Sequence, residues 1–218
     1  MHDCIDIFTK EISALLGASL ASVCLYGSVT LDDYRPGWSD IDILCLTAEP
    51  PTDAQAEELL TLRQSLVERE NDPVYRSFEG AVVSLDEFVR GEYSTVVYWG
   101  TSGQRITDKY SFDVFSRLGL MKYGRLVCGS DVRGRIALPS HAELVGGVTE
   151  HLDCIRKNAS QTGDSLYSCG WLLDIARCIY TLRNDDIISK TAAGEWALDE
   201  GICPCISDME KTLLVRKD

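Results

Sequence analysis

The residues best suited to chemistry lie in two short runs. They are Leu25-Tyr26-Gly27-Ser28 and, after ten intervening residues, Ser39-Asp40-Ile41-Asp42-Ile43-Leu44. Along a strand successive side chains alternate between faces, so Asp40 and Asp42 project together while Ile41 and Ile43 point into a core. Two converging carboxylates at a strand end offer oxygen ligands to a hard cation such as Mg²⁺, which keeps water and phosphate oxygens for the rest of its shell. Gly27 lets the backbone turn tightly at the end of the preceding strand, and Ser28 offers an N–H and a hydroxyl to a phosphate oxygen. The expected arrangement is a nucleotide whose phosphates sit between that turn and a metal held by two aspartates.

The surrounding pattern supplies elements to position these groups. Ile5, Phe8, Ile12, Leu15 and Leu16 recur at helical spacing before Gly17, which predicts an amphipathic helix over about 4–16. The apolar runs 22–26 and 41–46 read as strands joined by a polar loop over 29–40. Thr52 or Asp53 caps a helix running to about Arg69, and Asn71-Asp72-Pro73 ends it. Further strands are expected from about Val74 to Leu85 and from Thr95 to Trp99, the latter closed by Thr101-Ser102-Gly103, so that the sheet ends near residue 110. From Phe112 the pattern turns helical, over about 111–124, 141–158 and 164–183, with shorter helices after Thr191 and Ser207. The fold class read from this order is a small α/β domain, a mixed sheet with flanking helices, over 1–135, followed by an all-α domain over 136–218.

Composition bounds the function. The chain has 218 residues, with 21 Lys plus Arg against 34 Asp plus Glu, a formal net charge of −13 and a pI near 4.6. Such a surface repels nucleic-acid backbones and favours cationic small molecules. The acidic N-terminus carries no secretory signal pattern, and no apolar run reaches the roughly 18 residues that cross a bilayer, so a cytoplasmic protein without membrane partners is expected. Nine cysteines, an odd number without a Cys-x-x-Cys pair, fit a reducing compartment and read as scattered small buried thiols; the alternative for Cys203 and Cys205 is a metal pair, with no third ligand near in sequence.

The Gly-Ser turn followed at this spacing by Asp-x-Asp between apolar residues resembles the nucleotidyltransferase superfamily. That resemblance implies a third carboxylate on a neighbouring strand. Glu79, within Arg76-Ser77-Phe78-Glu79-Gly80-Ala81-Val82-Val83, meets it, since a Glu in an apolar strand is costly to bury unless it faces a site. Asp86 and Glu87 are placed instead at the start of a helix. The segments Leu173-Asp174-Ile175-Ala176-Arg177-Cys178-Ile179-Tyr180 and 187–198 are similar to the C-terminal helical domain of the aminoglycoside adenylyltransferases that modify streptomycin and spectinomycin. By that resemblance Ser28 and Ser39 contact the ATP phosphates and ribose region. Asp40, Asp42 and Glu79 form the metal and catalytic set, with Glu79 as base, and Arg177 and Lys190 reach the triphosphate. An acidic protein needs local cations for a triphosphate. Arg177 paired to a buried carboxylate and Lys190 on the surface are the structural alternatives.

Departures from that group are also legible. The named enzymes continue through further helix beyond the position of Lys211, so Arg216 is a candidate for missing nucleotide contacts, and residues 155–170 do not align with the acceptor-binding segment. Asp164 and Asp174 read either as ligands for cationic amines or as a helix cap and an exposed turn residue. Trp38, Trp99, Trp171 and Trp196 read as core or as stacking rings, and His141 and His151 as solvated. The function expected is Mg²⁺-dependent transfer of AMP from ATP to a hydroxyl of an aminoglycoside-like cationic acceptor. The alternatives are another acceptor or a regulatory nucleotide-binding module. The oligomeric state is left open.

Overall fold

In the computed structural model, residues 2–100, 103–163 and 165–217 are described. The strand Ile41–Thr47 (β2) is apolar on both faces, as a strand covered on both sides must be. Ile41, Ile43 and Cys45 face one core with Phe8, Ile12, Leu59 and Leu66, and Leu44 and Leu46 face another with Tyr26, Phe88 and Leu120. The first core lies under the helices His2–Leu16 (α1) and Asp53–Glu70 (α2). Thr52 is the cap of α2: its hydroxyl accepts from the Gln55 N–H, and the Gln55 side chain returns the bond to the Thr52 N–H.

Leu20–Tyr26 (β1) lies antiparallel to β2, and Phe78–Ser84 (β3) lies parallel to it on the other side, α2 serving as the crossover. Val96–Gly100 (β4) and Gly103–Thr107 (β5) extend the sheet antiparallel, and Arg125–Gly129 (β6) pairs with β1 at the opposite edge. The order is β5-β4-β3-β2-β1-β6, a mixed sheet with flanking helices, as expected. Two boundaries differ from the sequence reading. The strand expected from Val74 begins at Phe78, because Asp72 caps a 3₁₀ turn over Pro73–Ser77. The sheet does not end near residue 110, since β6 returns to it; that strand is short and half-exposed and carries no alternating pattern to announce it. Thr101 and Ser102, expected to close β4, fall outside the described residues.

The short helix Leu85–Arg90 (α3) follows β3, so Asp86 and Glu87 do begin a helix. Beyond the sheet run Val114–Tyr123 (α4), His141–Asn158 (α5), Leu166–Asn184 (α6), Lys190–Asp199 (α7) and Ile206–Lys217 (α8). Leu118 of α4, Leu144 of α5 and Ile187 pack together, and Leu120 of α4 packs with Tyr26, Leu44 and Leu46, so α4 joins the helical region to the sheet. Among the described residues no helix is long and apolar enough to cross a membrane.

Candidate active site

The register of three adjacent strands brings the acidic residues together. Asp42 is paired with Tyr26 on β1 and with Glu79 on β3, and residues in register share a face of the sheet. Asp40 lies two residues before Asp42, just ahead of β2. At the end of β1 the chain turns at Gly27 with φ +67°, and a Cβ there would meet the Asp42 Oδ2 at 2.0 Å. Glycine is therefore required twice over, by conformation and by the approach of the carboxylate. The Ser28 hydroxyl donates to the Asp40 carbonyl at 3.2 Å, tying the turn to the start of β2. Gly27→Ala is expected to lose at least about tenfold in activity, since strain of roughly 1–3 kcal/mol falls on Asp42 itself; kinetics on the folded variant check this, and wild-type rates would contradict the close packing.

The cluster is short of positive charge. Burial, then Asp40, Glu79 and Asp113, push the Asp42 carboxyl up to about 8, with Arg177 opposing. Burial and the neighbouring Glu79 raise Asp40 to about 6, against the pull of Lys190 and Arg63. Glu79 is half-buried, and its Oε1 accepts from the Tyr98 hydroxyl at 2.8 Å. Gly100 leaves room for that pair, because a Cβ there would lie 2.0 Å from the Tyr98 oxygen and 2.8 Å from the Glu79 Oε1. Tyr98 went unnoticed in the sequence, where it reads as one more aromatic strand residue. Tyr98→Phe is expected to cost about threefold to tenfold in turnover, the worth of one neutral hydrogen bond, measurable as kcat with ATP affinity unchanged; a rate equal to wild type would remove Tyr98 from the site.

A cleft of about 790 Å³ opens over the carboxylates, and Gly27, Ser28, Ser39, Asp40, Asp42, Arg177 and Lys190 all line it. Glu79 stands beside Asp40 and is not among the lining residues. The Ser39 hydroxyl is engaged inside its own loop, accepting from the Arg35 N–H at 3.1 Å and donating to the Asp33 carbonyl at 3.4 Å. Across the cleft, Arg177 Nη2 lies 2.7 Å from Asp174 Oδ1, and Lys190 Nζ lies 3.0 Å from Asp174 Oδ2. The exposed turn residue expected at 174 is in fact a buried carboxylate within α6. Burial would raise its pKa, but Arg177, His151 and Lys190 hold it well below the usual carboxylate range. Two cations against one carboxylate leave one positive charge for an incoming anion. Asp174 is also the anion that makes Lys190 tolerable at the start of α7.

The remaining candidates separate cleanly. His151 lines the cleft, with Nε2 3.8 Å from Asp174, whereas His141 pairs with Asp185 at the surface. Trp38 lines the cleft. Trp99 is core, its Nε1 donating to the Leu59 carbonyl; Trp171 packs near Tyr167 and Trp196 edge-on to Tyr180. Glu87 is buried against Ser94 and Asp86 pairs with Arg135, both away from the cleft. Asp164 falls outside the described residues. Cys203 and Cys205 bring their sulfurs to 3.9 Å. Among the described residues no group of three or more His, Cys, Asp or Glu side chains is arranged to hold a metal ion, there or at the cleft.

This geometry suits phosphate transfer: an acidic strand end beneath a glycine turn, faced by partly neutralised cations. Residues 5–85 match the model of the nucleotidyltransferase domain, and residues 138–201 match that of the aminoglycoside adenylyltransferase C-terminal domain. The chain is an aminoglycoside adenylyltransferase-like nucleotidyltransferase. Among solved structures, a spectinomycin adenyltransferase, AAD(9), from Enterococcus faecialis with ATP and spectinomycin is similar, with 20% identity and a TM-score of 0.66 over 100% of this chain and 89% of that one. At that identity the likeness speaks for the fold. A toxin-antitoxin with AMP-PNP is more distant, at 13% identity and a TM-score of 0.33 over 72% of this chain and 94% of that one. A search of curated proteins gives no match.

Proposed function

We propose that this nucleotidyltransferase moves AMP from ATP to a hydroxyl of a cationic, aminoglycoside-like small molecule and releases pyrophosphate, with residues 1–135 and 136–218 as its two domains. The observation that carries the reading is the half-buried, incompletely compensated pair Asp40 and Asp42 beneath Gly27-Ser28, on the same cleft as Arg177 and Lys190. Oxygen donors deprived of counter-charge fit a hard cation such as Mg²⁺, with Asp40 and Asp42 as its protein ligands and Glu79 adjacent. Asp40 and Asp42 would hold the ion through two carboxylates, which would leave phosphate oxygens and water to complete its coordination. When bound, the ion supplies charge neutralisation for the triphosphate and the developing negative charge.

The chain's own residues do the rest. The Gly27-Ser28 turn seats the phosphates, and Arg177 and Lys190 draw the outer phosphates across the cleft while Asp174 keeps both cations in place. Arg177 is further steadied by the Phe115 ring, 5.7 Å from its guanidinium. Glu79, oriented by Tyr98, takes the proton of the acceptor hydroxyl as that oxygen bonds to the α-phosphorus. The bond to the bridging oxygen of the β-phosphate breaks, and pyrophosphate leaves. Asp113 and Glu150 on the lining, with the overall negative charge, favour a polyamine sugar as acceptor.

The test is pyrophosphate release from ATP and Mg²⁺ with a panel of aminoglycosides, together with the mass of the acceptor. Release only when an acceptor is present, and an acceptor heavier by one adenylyl group, are expected. Stabilisation by ATP with no release for any acceptor would leave a nucleotide binder and overturn the proposal.

A further inference from the structure

The segment from Ser28 to Asp40 carries two adjacent acids with opposite fates. Asp32 is exposed with φ +54°, whereas Asp33 is 4% exposed. The Asp33 main chain ties the segment together at both ends. Its N–H donates to the Ser28 carbonyl at 3.0 Å, and its carbonyl accepts from the Ser39 hydroxyl at 3.4 Å. Its carboxylate is met by Arg35 Nε of the same segment at 3.4 Å and is bound more closely by the helical region. Thr191 donates to it from its N–H (3.2 Å) and its hydroxyl (2.7 Å), and Arg216 Nη2 pairs with it at 2.9 Å. Arg216 Nε donates in turn to the Thr191 hydroxyl at 3.0 Å, and the guanidinium lies 5.5 Å from the Trp38 ring on the same segment.

A sealed ion pair costs desolvation of both charges and adds little net stability compared with an apolar pair, so what it chiefly provides is fixed geometry. Arg216 is only 3% exposed, and burial is outweighed by Thr191 and Arg216 in lowering the Asp33 pKa. Thr191 immediately follows Lys190, so one network fixes the distance between the segment holding Ser28 and Asp40 and the lysine across the cleft. The geometry points to Asp33, Thr191 and Arg216 as an interdomain clasp that positions the two halves of the nucleotide site against each other. The inference rests on the nucleotide reading above. It makes Arg216, which also lines the cleft, a positioning residue whose guanidinium is held by Asp33.

The test uses the full chain carrying Asp33→Asn, Arg216→Met and both together. Each single variant is expected to raise KM for ATP about tenfold or more, as small misplacements do, while kcat changes by less than about threefold. The double variant is expected to match the worse single, because one shared network is lost once. Hydrogen exchange without nucleotide should quicken at the amides of 28–40 and not in β2 or β3. Additive effects, an unchanged KM, or acceleration throughout the sheet would each overturn the clasp. Should either charge variant fail to fold, Thr191→Val, which removes one hydroxyl, is expected to raise KM about threefold, the worth of a modest hydrogen bond, and an unchanged KM there overturns the clasp as well. Absence of ATP binding by the unmodified protein would instead sink the nucleotide reading.

Discussion

Asp42→Asn is expected to lower adenylyl transfer by at least about a thousandfold, because it removes one of the two carboxylates proposed to hold the cation, a loss of several kcal/mol from the transition state. The same change should leave the ligand-free fold as stable as before, or more so. Asp42 is held near 8, above the carboxylate value of 3.8, so its charged form is the disfavoured one in the folded protein. Stability contributed by the protonated group is present below pH 3.8 and is lost as pH rises toward about 8. An amide, which never ionises, removes that loss. The melting temperature of the variant should therefore exceed that of the parent by more at pH 9 than at pH 5, without divalent cation. Retained turnover, or a variant destabilised most at high pH, would dismiss the assignment.

Glu79→Gln is expected to reduce kcat by about a hundredfold to ten-thousandfold, the usual worth of general base catalysis, with ATP affinity unchanged. The amide oxygen can still accept from the Tyr98 hydroxyl, so the local packing survives. Thermal stabilisation by ATP and Mg²⁺ reports affinity, and single-turnover transfer to an acceptor reports the chemical step. A parallel loss of both would make Glu79 part of the cation site, and an unchanged rate would move the base to another carboxylate.

The two sides of the cleft were not equally legible from residues. Asp40, Asp42, Gly27 and Ser28 could be read because strand alternation and a turn leave a fixed spacing in the chain. The three-strand register that adds Glu79 required a neighbouring strand, which the apolar run around it supplied. Asp174 was misread because an acid in an apolar helix looks anomalous until its cations are known, and one of them, Lys190, comes from another helix. Asp33 had no signal at all. It sits beside Asp32 in a polar loop, and only tertiary contact with Thr191 and Arg216 separates the buried acid from the solvated one. β5 was missed for a related reason, since its Gly-Gln-Arg-Ile-Thr run is almost wholly exposed and shows no apolar face.

Ile41 and Ile43 anchor one core while Asp42, between them, turns to the other face at the cleft. Sliding that strand by a single position would drive the acid into the hydrocarbon under α1 and α2 and carry the isoleucines to the opposite face. Misalignment and inactivity thus arrive as one event, and a turnover assay of refolded material doubles as a count of correctly threaded molecules.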